Sequence, residues 1–133
     1  MTRLGRDQYF MELAKTTAAR GTCPRLVVGC ILVSDNKVVA TGYNSSNRGT
    51  PHCDDEGVGC LVVENHCRRT VHAEVAAILN LEKRYSELIV YLTHFPCLDC
   101  YKILAAAGAT QIFYGRPYAP VAGQEATAYT QLM

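Results

Sequence analysis

Residues 71–107, VHAEVAAILNLEKRYSELIVYLTHFPCLDCYKILAAA, read as helix, strand, helix, and that alternation decides the fold class. Val71 to Leu81 is alanine-rich with apolar residues at helical spacing, which predicts a largely buried helix. Leu88 to Leu92 is a short apolar run of strand length. Pro96 to Ala107 predicts a further helix, with Pro96 near its start and Gly108 ending it.

Working outward, Tyr9-Phe10, Leu13-Ala14 and Thr17-Ala18 repeat at helical spacing and predict a first helix from about Arg6 to Ala19. Leu26 to Val33 and Lys37 to Thr41 are β-branched apolar runs, with Asp35-Asn36 between them as a hairpin turn. Gln111 to Tyr114 is a further short strand, and the tail from Gly115, containing Pro117 and Pro120, is expected to carry a weak helix. Strands alternating with helices give an α/β layer fold with a mixed sheet. The 133 residues, 1–133, fit a single domain. One stretch breaks the pattern. Gly42 to Arg69 is rich in Gly, Asn, Ser, Asp and Cys without periodicity, and so long a loop in a small domain is functional or tied down.

Composition narrows the partners. Apolar residues make up 49% and charged residues 19%, which excludes disorder. The formal net charge is +1, and no basic run exceeds Arg68-Arg69, so the broad basic face that grips a polynucleotide is missing. A single small anion needs only one or two cations. The longest apolar run, Leu26 to Val33, is too short to span a bilayer, and residues 1–20 carry Arg3, Arg6, Asp7, Glu12 and Lys15, unlike a secretory signal. The expectation is a cytoplasmic protein that engages neither nucleic acid nor membrane. Seven cysteines in such a chain are metal ligands before they are disulfides.

Chemistry concentrates at two helix starts. His72-Ala73-Glu74 opens one helix and Pro96-Cys97-Leu98-Asp99-Cys100 opens the other. Helix N-termini carry unpaired N–H groups and a positive dipole end, which favour thiolates. Cys97 and Cys100, three apart, share one helix face. Brought together, the two ends present one imidazole and two thiolates to a zinc ion and leave its fourth position open, the arrangement of catalytic zinc. Such a metal supplies a nucleophilic water at neutral pH. Glu74 lies beside it without being obliged to bind it, placed to take the water's proton, protonate ring N3 and then the leaving amine. An H-x-E followed by P-C-x-x-C is the pattern of zinc deaminases acting on cytosine or adenine. The bland alternative is a structural zinc, with Glu74 as a solvated helix-start carboxylate.

Beyond these motifs, Thr22-Cys23-Pro24-Arg25, Gly42-Tyr43-Asn44, Gly49-Thr50-Pro51-His52-Cys53, Gly59-Cys60-Leu61, the run from His66 to Glu74 and Tyr91 to Cys97 form one ordered series. Over about Phe10 to Tyr118 the chain resembles the deoxycytidylate (dCMP) deaminases of bacterial and phage type, within the cytidine deaminase superfamily. The resemblance implies a three-layer α/β/α sandwich around a mixed five-stranded sheet. It implies hydrolysis of dCMP to dUMP and ammonia, in the supply of dTMP precursor. It carries over His72, Cys97 and Cys100 as zinc ligands and Glu74 as proton shuttle. Asn44 matches a position that contacts the sugar, backbone groups at Val71 and Ala73 hold the pyrimidine edge, and Phe95 or Tyr118 packs on the ring. Arg25 is the candidate for the 5′-phosphate, with Arg48 behind it.

Some relatives hold a second, structural zinc, and Cys23 and Cys53 match its ligands by position. His66 and Cys67 are expected to complete it, with Cys60 as rival. Such a closed site would also explain how the long irregular segment stays ordered. The resemblance further implies a homo-oligomer, hexamer favoured, with dCTP and dTTP as effectors and Mg2+ accompanying dCTP. The chain departs from many relatives at Ser45, where they carry glycine, and this counts against effector control. Cys30, inside an apolar run, is expected in the core. His94 is expected either at the pocket or in a structural hydrogen bond. Competing functions are deamination of another cytosine compound (dCTP, cytidine or a polynucleotide base) and a non-catalytic zinc or nucleotide-binding module.

Overall fold

A computed structural model describes residues 2–116 and 128–131. Among the described residues, three helices and seven strands follow in chain order: α1 (Arg6–Ala18), β1 (Gly29–Ser34), β2 (Lys37–Tyr43), β3 (Val62–Val63), β4 (His66–Cys67), α2 (Ala73–Leu79), β5 (Leu88–His94), α3 (Leu98–Ala106), β6 (Ala109–Arg116) and β7 (Ala128–Gln131). The main sheet has five strands in the order β2-β1-β5-β6-β7. β1 pairs antiparallel with β2 and β5, whereas β5–β6 and β6–β7 are parallel, so the sheet is mixed.

Strand alternation divides the core between two faces. Ile31, Val33, Tyr91 and Phe113 pack against Phe10, Met11 and Ala14 of α1. Their neighbours Cys30, Leu32, Val90, Leu92 and Ile112 pack against Ala73, Ala77, Tyr101 and Leu104 of α2 and α3. The result is the expected α/β/α sandwich, with β1 and β5 buried on both sides. On the α1 face, Tyr91 stacks on Phe113 with ring centroids 4.9 Å apart, and its hydroxyl donates to Asp7 Oδ1 at 2.6 Å. Two close approaches set the layer spacing. A Cβ at Gly29 would run into Ala14 O of α1, and one at Gly42 into Ala73 O and Ala77 N of α2. Only glycine lets these strands meet the helix backbones so closely.

Several boundaries move from their sequence-based positions. The apolar run from Leu26 enters the sheet only at Gly29. The Asn44 side chain is the cause: its Nδ2 donates to Leu26 O and its Oδ1 accepts from Val28 N, both at 2.7 Å, so a side chain replaces the ladder there. The second helix is shorter than Val71 to Leu81, because Val71 N donates to Ser45 O at 2.8 Å as an isolated bridge and His72 becomes the N-cap. The hairpin at Asp35-Asn36 is present, with φ of 51° and 61°. The irregular segment contains an unforeseen second hairpin, β3–β4, turning at Glu64-Asn65 with φ of 50° and 65°. In the tail, Ala128–Gln131 forms strand β7, not part of a helix; the expected ring contact Tyr118 lies outside the described residues. No helix among the described residues is long and apolar enough to cross a membrane.

Candidate active site and metal centres

β5 runs directly into the start of α3, and the bridge at Val71 aims the start of α2 at the same place. His72 is the N-cap of α2 and Cys97 the N-cap of α3, both in extended backbone, with Cys100 one turn into α3. His72 Nδ1 lies 3.2 Å from Cys100 Sγ and 3.7 Å from Cys97 Sγ. Zinc bonds of about 2.0 Å to nitrogen and 2.3 Å to sulfur at tetrahedral angles put such donors roughly 3.5–3.8 Å apart, so the spacing fits a zinc ion.

The protonation pattern suits the same ion. Hydrogen bonds from Cys100 and then His72 pull the Cys97 thiol down to about 4, making it a thiolate. The bond to Cys97 raises the His72 imidazole, and Cys100, the donor to that thiolate, is raised. Glu74, in the first turn of α2, is 5% exposed, and burial raises its carboxyl. It is therefore a dry acid beside the donor cluster, not a solvated helix-start residue.

These groups open onto a cavity of about 670 Å³. His72, Ala73, Glu74, Phe95 and Cys97 line it, as do Asn44 and Arg25. Phe95 is buried edge-on against Tyr114 with centroids 5.0 Å apart. Ala73 is fully buried. Asn44 faces the cavity while its amide also holds residues 26 and 28. Arg25 is exposed at the rim, its Nη2 donating to Asn65 O at 3.2 Å. Val71 is not among the lining residues and its N–H donates to Ser45 O, whereas its neighbour Thr70 is on the wall. Arg48, the second phosphate candidate, is exposed and off the lining. His94 satisfies both of its expectations, lining the cavity with Nδ1 3.0 Å from Thr93 Oγ1. Burial and then Arg116 hold its imidazole below the ordinary range. Cys30 is fully buried in the core.

A second donor cluster brings together Cys23, Cys53, Cys60 and Cys67. His66, expected as a ligand, is not part of it, and Cys60 takes that place. The reason is strand geometry: His66 and Cys67 are adjacent in β4, and adjacent residues point to opposite faces. Cys23 and Cys60 sulfurs are 3.6 Å apart, as are those of Cys53 and Cys67. A disulfide needs about 2.05 Å, whereas two sulfurs on a tetrahedral zinc stand roughly 3.8 Å apart. Burial pushes the Cys53 thiol up to about 12. Burial raises Cys67 too, but hydrogen bonds led by the Arg69 N–H bring it net down to about 6. Sequence reasoning missed Asn65 and His66 as cavity residues, because the β3–β4 hairpin that carries them has no periodic signal.

Comparison with known proteins agrees with this geometry. Residues 4–116 match the family described as the cytidine and deoxycytidylate deaminase zinc-binding region. ComE operon protein 2 of Bacillus subtilis (strain 168) is 43% identical over 121 residues, covering 89% of this chain. The chain spans only 63% of that protein's length. The deoxycytidylate deaminase of Mycobacterium phage D29 is 32% identical over 126 residues, 86% of this chain and 97% of that one. A crystal structure of the dCMP deaminase of cyanophage S-TIM5 in complex with dCMP and dUMP has the same fold, with a TM-score of 0.81 at 22% identity over 99% of this chain and 100% of that one.

Proposed function

The chain belongs to the cytidine and deoxycytidylate deaminases, and from that premise we propose that it hydrolyses dCMP to dUMP and ammonia. The observation that carries the reading is Glu74, a buried carboxylate beside a three-donor cluster with a fourth position open to one cavity. His72, Cys97 and Cys100 would hold a zinc ion, which would supply a water that ionises near neutral pH. Phe95 and the buried backbone of Ala73 confine a planar ring on the cavity wall. Glu74 accepts one proton from the water and delivers it to ring N3 as the water oxygen bonds to C4; it then takes the remaining proton of that new hydroxyl and passes it to the amine, and the C4–N bond breaks. Oxygen replaces nitrogen at C4 and ammonia departs. Arg25 at the rim is the cation for the 5′-phosphate, and Asn44 faces the sugar.

The same reading gives Cys23, Cys53, Cys60 and Cys67 a second, structural zinc. Four sulfurs leave no open position, and they tie residue 23 to a segment that otherwise has little regular structure.

Ammonia release from dCMP and from deoxycytidine by zinc-loaded protein tests the proposal. Turnover of dCMP with little of deoxycytidine is the expected result. Equal turnover of both would remove the mononucleotide claim and keep the chemistry. Turnover of neither by protein carrying its zinc would leave the non-catalytic module.

A further inference from the structure

The four sulfurs of the second cluster divide into two close pairs. Cys23 Sγ lies 3.6 Å from Cys60 Sγ, and Cys53 Sγ lies 3.6 Å from Cys67 Sγ. Each pair joins a buried cysteine to one that solvent reaches: Cys23 and Cys53 are buried, whereas Cys60 and Cys67 are half-buried. Thiol oxidation needs that arrangement, an accessible sulfur to meet the oxidant and a sheltered partner to resolve it. Closing either pair to a disulfide takes a movement of roughly 1.5 Å. None of the four lies on a strand of the main sheet, so the movement falls on loops and the short β3–β4 hairpin.

We propose that these four cysteines are a redox modification site, at which a hydroperoxide forms Cys23–Cys60 and Cys53–Cys67 disulfides, expels the structural metal and weakens the cavity's hold on substrate. The proposal rests on the second-zinc reading above. The accessible sulfur of a pair attacks the peroxide, taking one oxygen as a sulfenic acid while the other leaves as water. The buried partner then attacks that sulfur; the S–S bond forms, the S–O bond breaks, and the oxygen leaves as a second water. Each disulfide thus consumes one peroxide, two thiols being oxidised as one peroxide is reduced. The metal ligand is the thiolate, so both disulfides together leave the ion without donors. Four thiolates around one zinc carry two negative charges in excess, whereas two thiolates and an imidazole carry none, which makes this cluster the more electron-rich target. The effect reaches the cavity because Cys23 and Cys67 line it. Their two arms meet where Arg25 Nη2 donates to Asn65 O at 3.2 Å. A closed four-sulfur centre ties Cys23 to Cys67, and the two disulfides replace that cross-tie by bonds to Cys60 and Cys53. The wall loosens there, while His72, Glu74, Cys97 and Cys100 stay held by the starts of α2 and α3.

The test treats zinc-loaded protein with hydrogen peroxide while a chromophoric chelator reports free zinc. After thiol alkylation, non-reducing peptide mass spectrometry maps the disulfides. The expected result is two zinc equivalents beforehand, one released for every two peroxides consumed, and the pairings Cys23–Cys60 and Cys53–Cys67. Fully buried Cys30 should remain a free thiol, as should Cys97 and Cys100. kcat/KM for dCMP should fall about tenfold or more, because positioning groups displaced by about 1 Å cost at least that. The loss should lie mainly in KM, be matched in the dUMP Kd measured by calorimetry, and be reversed by dithiothreitol with added zinc. Other pairings, sulfinic acids in place of disulfides, or a Cys97–Cys100 disulfide formed first would each overturn the proposal. Both disulfides with an unchanged dUMP Kd would overturn the link to the cavity. A single zinc equivalent before treatment overturns the structural-zinc reading and metal release with it, and the disulfide map then decides the pairing alone.

Discussion

The two donor clusters are built from the same chemistry on opposite principles. His72, Cys97 and Cys100 sit at the starts of two packed helices, three donors with the buried Glu74 in the first turn of α2. Cys23, Cys53, Cys60 and Cys67 come from loops and a two-residue strand, and they close on one another with no place left over. The first cluster inherits its geometry from the sandwich and spends its freedom on reactivity. The second gives geometry to a segment that has little of its own. Loss of the proposed catalytic metal should therefore change rates, and loss of the proposed structural metal should change structure.

The sharpest separation comes from Glu74→Ala. Its rate with dCMP should fall at least about a hundredfold, the lower end for a positioned general acid and base. Two zinc equivalents and the melting temperature should be retained, since removing a buried carboxyl relieves a desolvation penalty. A near wild-type rate would remove Glu74 from the chemistry. Next in size, Cys53→Ser or Cys60→Ser should lose one zinc equivalent, together with amide-exchange protection across residues 52–71. Protection in β1 and β5 should persist, and structural zinc centres in small units contribute several kcal/mol to folding. If both metals and the protection survived Cys60→Ser, the closed four-sulfur arrangement would be wrong. The smallest effect belongs to a control outside both clusters. Tyr91→Phe removes the hydrogen bond to Asp7 and should cost about 1 kcal/mol by urea denaturation, with zinc content and activity unchanged.

The same contrast governs what can be read from the chain. The donors at the two helix starts are legible because H-x-E and P-C-x-x-C are short, contiguous and attached to periodic helices. The layers were legible too, since β1 and β5 are apolar runs bounded by turns. The second cluster gathers residues from 23 to 67, and its composition depends on which face of β4 each neighbour takes. Nothing in the sequence marks Glu64-Asn65 as the turn that settles this, because the hairpin has only two residues per strand. Hence His66 was expected in a metal shell, and the structure puts it on the cavity wall. Val71, expected to offer backbone groups to the pyrimidine edge, gives its N–H to Ser45 O across a long sequence separation that local patterns do not encode.

Gly42 carries a consequence for how this molecule tolerates change. It lies on the far edge of the sheet, remote in sequence from every donor, yet β2 rests there directly on the backbone of α2 between Ala73 and Ala77. A single added methyl group would act as a wedge beneath that helix, tilting His72 and Glu74 while leaving their chemistry untouched. The depth of Glu74 is thus gauged by a missing side chain, and a search for harmful substitutions that ranked positions by distance from the donor cluster would pass over Gly42.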